Sequence, residues 1–188
     1  MTPNALLIID FEATCDSHGR LPAAEMEIIE IGAVLLDADD QVAGQFQCFV
    51  KPVLNPVLTP FCTALTGIEQ HDVDSADPFP TAAHALSDWL RLDVPVSPAR
   101  WVSWGDYDRK QLNRDCERHQ LANPLPLRHR NVKTAFASVH GGQGWALSDA
   151  VAHADLAFEG TLHRGLDDAL NIARLLQHDA ALKAALAG

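Results

Sequence analysis

The feature that most constrains the fold is an apolar run, Leu6 to Ile9, that leads directly into two carboxylates, Asp10 and Glu12. Four consecutive apolar residues indicate a strand buried in the centre of a sheet. Because side chains alternate along a strand, Asp10 and Glu12 project from the same side of it. Keeping both ionised beside a hydrophobic strand costs on the order of several kcal/mol unless a cation lies between them. The pattern therefore predicts a metal site, and its alternative is a strand end that exposes two solvated acids.

A further acid lies in the amphipathic segment from Glu159 to Leu176. At about 100° per residue, Asp168 shares a face with Ile172 and Leu175, which must pack inward, whereas Asp167 can stay in water. A buried Asp168 needs a compensating charge, and a metal shared with the N-terminal carboxylates would supply one.

His163 stands five residues before Asp168, which would be the wrong face if both residues were helical. It fits the same site if it lies in a loop that swings over the start of the helix. The alternative is a loop histidine without a role.

The third acidic segment runs from Trp101 to Leu112 and has the pattern of a strand, a glycine turn and a helix. Asp108 precedes Leu112 and Cys116 by one and two helical turns, so it lies on the buried stripe. Asp106 has the position of a helix cap, which is the usual place for an acid at a helix start.

Four segments of the chain, in this order, resemble the DEDDh family of 3′-to-5′ exonucleases within the ribonuclease H-like superfamily. They are DFEATC (10–15), FCTALTGIEQHDVDSADPFP (61–80), WGDYD (104–108) and HRGLDDALNIARLL (163–176). The resemblance spans nearly the whole chain and is strongest to the branch that trims histone mRNA and degrades small RNAs, with its short bacterial relatives. It implies that Asp10, Glu12, Asp108 and Asp168 bind two divalent cations, Mg²⁺ or Mn²⁺, and that His163 is the general base.

These residue types suit that chemistry. Two hard cations can activate a water and stabilise the leaving 3′-oxygen of a phosphodiester, and Mg²⁺ or Mn²⁺ prefers carboxylate and water ligands. A histidine with an ordinary pKa of about 6.5 accepts a proton near neutral pH. The expected product is a nucleoside 5′-monophosphate.

The resemblance also implies substrate positions. Ala13 and Thr14 would hold the terminal 3′-hydroxyl, while Tyr107, Phe61 and Leu65 would stack on or wedge the last bases. Stacking on single-stranded bases contributes about 1–3 kcal/mol per base. The alternatives are a strand-end cap for Thr14 and ordinary core packing for the other three.

The composition is compatible with an enzyme that acts on nucleic acid, but it does not favour this class of protein over others. A length of 188 residues with 47% hydrophobic content fits one full-sized domain, 1–188, and argues against disorder. The net charge of −11 is unusual for a nucleic-acid binder, but eight of the 14 Lys and Arg residues lie between Arg100 and Lys133, beside four acids. The alternative for that run is a solvated helix face and loop.

The four cysteines are irregularly spaced and form no zinc pattern. Asp10 interrupts the early apolar run, so no secretory signal peptide is expected, and nothing approaches a membrane span of roughly 20 apolar residues. We therefore expect a cytoplasmic protein without membrane contact.

Periodicity and breakers predict an α/β domain with a mixed five-stranded sheet flanked by helices, and the resemblance implies that this fold is ribonuclease H-like. The first strand is the apolar run that begins at Leu6, and further strands are predicted at 27–36, 42–50 and 100–104. Helices are predicted at 61–65, 79–92, 134–140 and 147–154, followed by the last helix.

The predicted function is removal of nucleoside 5′-monophosphates from single-stranded 3′ ends, with RNA favoured over DNA. One alternative is a DNA-directed exonuclease in proofreading or repair. Another is a regulatory protein that binds nucleic acid without turnover, and the presence of all five catalytic positions argues against it. The sequence does not identify a protein partner.

Overall fold

A six-stranded mixed sheet runs through the centre of the computed structural model, which describes residues 5–17 and 19–186. Strands β1 to β6 occupy Leu6–Ala13, Ile28–Leu36, Val42–Lys51, Asp77–Pro78, Arg100–Ser103 and His129–Asn131. The first three form an antiparallel meander, β5 and β6 run parallel to β1, and the order across the sheet is β4-β3-β2-β1-β5-β6.

The predicted sheet is confirmed in type but not in strand number, since we expected five strands. The additional pairing comes from β4 and β6, which have two and three residues. Segments this short cannot display an alternating pattern, and their pairing depends on neighbours that are distant in sequence.

Eight α-helices within the described residues cover the sheet. Helices α1 to α8 occupy Pro60–Thr66, Gln70–Asp74, Phe79–Asp88, Tyr107–His119, Val132–His140, Leu147–His153, Gly165–His178 and Ala180–Ala185. The helix predicted at 79–92 changes at Trp89 into a π-helical turn that ends at Asp93. Sequence reasoning missed the short helices α2 and α8.

Strand β1 is buried on both faces, which explains its continuous apolar run. Leu7 and Ile9 contribute to the core on one side of the sheet. Leu6 and Ile8 contribute to the core on the other side, where α7 packs. The strand is thus fixed from both sides up to the position where its two carboxylates begin.

Within the described ranges, no helix has the length and apolar character needed to cross a membrane. The cytoplasmic location stays a prediction.

Candidate active site

Four acids and a histidine from distant parts of the chain line one cleft of about 340 Å³. Asp10 and Glu12 come from β1, Asp108 from the first turn of α4, and Asp168 from the first turn of α7. Because β1 and β5 are parallel, the end of β1 and the start of α4, which follows β5, meet at one edge of the sheet. The structure therefore brings together all five residues for which the sequence predicted catalytic roles.

Two glycines allow α7 to begin against the sheet. Gly32 of β2 lies opposite Asp10, and a Cβ atom on Gly32 would stand 2.0 Å from the carbonyl carbon of Gly165. A Cβ atom on Gly165 would stand 3.0 Å from the backbone oxygen of Asp10. This close approach of backbones carries Asp168 to the N-terminal carboxylates. Sequence reasoning missed both positions, although a glycine inside a strand indicates such an approach.

The start of α7 is also held by a buried carboxylate. Glu30 of β2 is fully buried and accepts hydrogen bonds from the backbone N–H of Gly165 at 3.0 Å and from Nε of Arg164 at 3.2 Å. Gln47 donates to the same carboxylate, and the Arg164 guanidinium lies over the ring of Phe49. These contacts fix the two residues that follow His163. Neither Glu30 nor Arg164 was singled out from the sequence.

His163 lies in the loop before α7, as its spacing from Asp168 predicted. Its φ angle of 63° is in the left-handed region, which costs a non-glycine residue about 1–2 kcal/mol. Burial lowers the pKa of its imidazole. The surrounding contacts thus hold the ring at the cleft in a conformation that the backbone does not favour by itself.

Burial disfavours the ionised form of all four acids, and repulsion adds to this effect for Asp10, Glu12 and Asp168. The pKa of Asp10 is raised well above its ordinary value, by burial first and then by Asp108 and Glu12. Burial followed by repulsion from Asp168 raises the pKa of Glu12 to about 9. Burial is also the main cause that raises the pKa of Asp168 to about 7 and that of Asp108 to about 6. Asp108 is shifted least in part because its Oδ1 accepts a hydrogen bond of 2.9 Å from the N–H of Phe11.

This donor set fits a hard divalent cation. Glu12, His163 and Asp168 each offer a ligand atom, and these three atoms lie within 4.8 Å of one another. Oδ1 of Asp168 is buried and accepts no hydrogen bond from any described residue. A buried carboxylate oxygen without a donor is stabilised by a cation, and oxygen ligands are those that Mg²⁺ and Mn²⁺ prefer.

The two acids that neighbour the predicted ligands have other partners. Asp106 occupies the N-cap position of α4 as expected, but its side chain makes no capping hydrogen bond and instead pairs with Arg109 at 3.4 Å. Oδ2 of Asp167 accepts from the N–H of Thr161 at 2.7 Å. The face of α7 that Asp167 shares with Asn171 is not simply solvated, because Asn171 is fully buried and bonds to the backbone of Glu159 and Asp167. Neither Asp106 nor Asp167 lines the cleft.

The residues predicted to hold the 3′-hydroxyl are buried at the end of β1. Oγ1 of Thr14 accepts from the N–H of Glu27 at 2.9 Å, so this side chain ties β1 to β2. Ala13 is buried beside it, and its backbone oxygen faces the thiol of Cys62 at 3.7 Å. The strand-end alternative for Thr14 therefore describes its observed contacts, and neither residue is among those that line the cleft.

The three residues that are predicted to contact bases are large and exposed. This contradicts the alternative interpretation, in which they pack in the core. Phe61, Leu65 and Tyr107 have exposed fractions of 39%, 37% and 40%. Tyr107 lines the cleft, whereas Phe61 and Leu65 project from α1 outside it. The cleft is also lined by apolar residues that sequence reasoning missed, among them Trp104, Leu147 and Leu162.

Comparison with known proteins decides the family. The sequence profile of the exonuclease family, RNase_T, matches residues 7–176. The chain belongs to this exonuclease family. The resemblance drawn from the four sequence motifs is thereby confirmed.

Curated relatives of this exonuclease are themselves named as 3′-5′ exonucleases. The 3′-5′ exonuclease Snipper of Drosophila melanogaster is 33% identical over 195 residues, covering 94% of this chain and 69% of the relative. Human 3′-5′ exoribonuclease 1 is 34% identical over 177 residues, covering 90% of this chain. The match spans only 50% of the human protein's length.

Solved structures place this exonuclease in the DEDDh group and confirm the α/β nuclease fold. The nuclease domain of 3′hExo, a DEDDh family member bound to rAMP, superposes with a TM-score of 0.83 at 33% identity. The superposition covers 92% of this chain and 89% of that one. Membership of this group implies dependence on a divalent metal.

Proposed function

We propose that the chain removes nucleoside 5′-monophosphates from single-stranded 3′ ends, with RNA favoured, and that residues 1–188 form a single exonuclease domain. The observation that carries this proposal is the convergence of Asp10, Glu12, Asp108, Asp168 and His163 on one cleft. Residues 1–4, 18 and 187–188 of the proposed domain lie outside the described residues.

The four acids would hold two divalent cations, Mg²⁺ or Mn²⁺. When bound, these cations would supply the positive charge that polarises a water and the scissile phosphodiester and that stabilises the leaving 3′-oxygen. The raised pKa values of the four carboxyl groups and the unpartnered oxygen of Asp168 support this assignment.

His163 would act as the general base. As the water oxygen attacks phosphorus and the bond to the 3′-oxygen breaks, an imidazole nitrogen of His163 would accept the water proton. Its left-handed backbone, followed by the residues that Glu30 holds, supports a fixed position for the ring at the cleft. Tyr107, exposed at the cleft, would stack on the last base.

The preference for RNA is supported by two relatives. The human relative is named an exoribonuclease, and the superposed nuclease domain is bound to rAMP. A DNA strand of the same sequence is the matched alternative substrate.

The test is hydrolysis of a 5′-labelled single-stranded RNA. We expect stepwise shortening from the 3′ end and release of nucleoside 5′-monophosphates with Mg²⁺ or Mn²⁺, and complete loss of hydrolysis with a chelator. Asp108→Asn is expected to lower turnover by about 10³-fold or more, because a ligand charge is lost.

Asp167→Asn is the matched control, since Asp167 lies at the start of α7 but does not line the cleft; it is expected to keep most activity. Full activity in chelator, or internal fragments from a circular RNA, would contradict the proposal. Metal-dependent binding of RNA or DNA without hydrolysis of either would favour the regulatory alternative.

A further inference from the structure

A second surface cavity, of about 450 Å³, adjoins the start of α4. It lies between that helix, the edge strand β6, helix α5 and the end of α8. Its polar lining includes Asp106, Arg109, His129, Arg130, Asn131 and Thr134. Helix α4 contributes Tyr107 and Asp108 to the cleft and Asp106 and Arg109 to this cavity, so the two sites share one helix start.

Arg130 is the unusual residue of this cavity. Its side chain is half-buried, its Nε is buried without an acceptor, and it forms no ion pair with any described residue. Among the other partly buried arginines of the described residues, Arg118 and Arg164 have acidic partners, and Arg100 and Arg114 donate hydrogen bonds to neutral oxygens. A guanidinium that is partly removed from water without an acceptor is unfavourable by itself, and an anion in the cavity would compensate it.

The cavity is positively charged in a chain whose net charge is −11. It carries two guanidinium groups, on Arg109 and Arg130, against one carboxylate, on Asp106. That carboxylate is paired with Arg109 at 3.4 Å. Burial lowers the pKa of His129 to about 4, so its ring is neutral at pH 7 and does not add to the count.

We propose that Arg130 and Arg109 bind a backbone phosphate of the nucleic acid upstream of its 3′-terminal nucleotide. This inference rests on the proposed exonuclease function. Guanidinium groups match phosphate oxygens in planar, paired hydrogen bonds. The scissile phosphate belongs in the cleft, so a phosphate in this cavity comes from a nucleotide farther along the strand. A dinucleotide is then too short to place a backbone phosphate in this cavity.

The test compares a ten-nucleotide single-stranded RNA with a dinucleotide of the same 3′ end, both with Mn²⁺. Arg130→Ala is expected to lower kcat/KM on the decamer by about tenfold and to leave the dinucleotide within about twofold of wild type. The slope of log(kcat/KM) against log salt on the decamer is expected to become shallower by about 0.7, the value for one single-strand phosphate contact. A role confined to folding would change neither the length dependence nor the salt slope.

Arg109→Ala is the second variant, because its side chain is 42% exposed and its loss leaves the core intact; it is expected to show the same pattern. Arg91→Ala is the matched control, since that arginine pairs with Asp88 on a distant surface and should change neither substrate. Arg130→Lys should keep the salt slope while losing part of the affinity.

Equal losses on both substrates, or no loss on either, would overturn the inference. A second contrary result would be inhibition by millimolar inorganic phosphate that depends on Arg130, with equal effects of Arg130→Ala on the decamer and the dinucleotide. The cavity would then bind a free anion and not the nucleic acid. If the wild type hydrolyses neither substrate, the proposed function fails. Phosphate binding in the cavity is then tested by the salt dependence of decamer binding, measured by fluorescence anisotropy for the wild type, Arg130→Ala and Arg109→Ala.

Discussion

At the scale of single residues, the left-handed backbone of His163 allows the chemistry of the ring to be tested apart from the backbone strain at this position. Glycine adopts a φ of 63° without penalty, and asparagine adopts it more readily than alanine. Substitutions at this position therefore change backbone strain and side-chain chemistry in different proportions.

We expect His163→Ala, His163→Asn and His163→Gly each to lower turnover by about 10²–10⁴-fold, because all three remove the proposed base. Their stabilities should differ, with the Ala variant about 1 kcal/mol less stable than the Gly variant and the Asn variant between them. Turnover is measured at saturating Mn²⁺ and stability by urea denaturation. An Asn or Gly variant that retained wild-type turnover would show that the imidazole is not the base.

The sequence predicts the burial of some site residues but not the contacts of others, and the difference has a physical reason. Helical periodicity places Asp108 and Asp168, and not their acidic neighbours, on buried faces, and both are buried in the structure. Thr14 could not be resolved in the same way, since a hydroxyl at a strand end can bond to substrate or to backbone. Which of these it meets depends on Glu27, whose position follows from strand pairing and not from local sequence.

At the scale of elements, the contact between β2 and α7 depends on the absence of a side chain at Gly32. A methyl group there would overlap the backbone of Gly165 and Leu166, neither of which can move without lifting the helix start from the sheet.

Gly32→Ala is expected to lower the free energy of unfolding by more than about 3 kcal/mol and to abolish hydrolysis, since Asp168 would leave the cleft. The matched control is Gly44→Ala in β3, where the added atom would meet the Trp89 side chain at 3.1 Å. We expect a loss of about 1 kcal/mol or less for that variant, measured by urea denaturation. A loss for Gly32→Ala as small as the one expected for Gly44→Ala would show that the helix start can shift freely.

Elements with long apolar patterns were predictable, and those defined by pairing were not. Strands β1 to β3 and helix α7 follow from their hydrophobic periodicity. The edge strand β6 has the sequence His129-Arg130-Asn131, which carries no strand pattern, and its existence depends on pairing with β5. The sheet count and the cavity beside β6 therefore required the structure.

At the scale of the whole molecule, the site concentrates negative charge in a protein that is already acidic. Burial and repulsion raise the pKa of Asp10, Glu12 and Asp168, so ionisation of the metal-free site is incomplete at neutral pH and costs free energy. Cation binding should consequently stabilise the entire fold.

We expect Mn²⁺ at about 100 times its dissociation constant to raise the free energy of unfolding of the wild type by about 2.7 kcal/mol for each site filled. In chelator, Asp168→Asn should be about 1–3 kcal/mol more stable than wild type, because it removes a buried, repelled charge. It should gain less from Mn²⁺. Thermal denaturation with and without metal measures both effects.

Asp167→Asn is the control for this comparison as well, and it should follow the wild type in chelator and in Mn²⁺. If Mn²⁺ raised the melting temperature of Asp168→Asn as much as that of the wild type, Asp168 would not be a ligand.

The wide separation of the site's residues along the chain bears on the protein's own synthesis. The first acids stand at positions 10 and 12, whereas His163 and Asp168 belong to the segment that closes against β2 through Gly165. A nascent polypeptide emerging from the ribosome therefore lacks both the proposed base and the fourth proposed metal ligand until α7 has been translated. A translation product that is interrupted before α7 is therefore expected to lack hydrolytic activity.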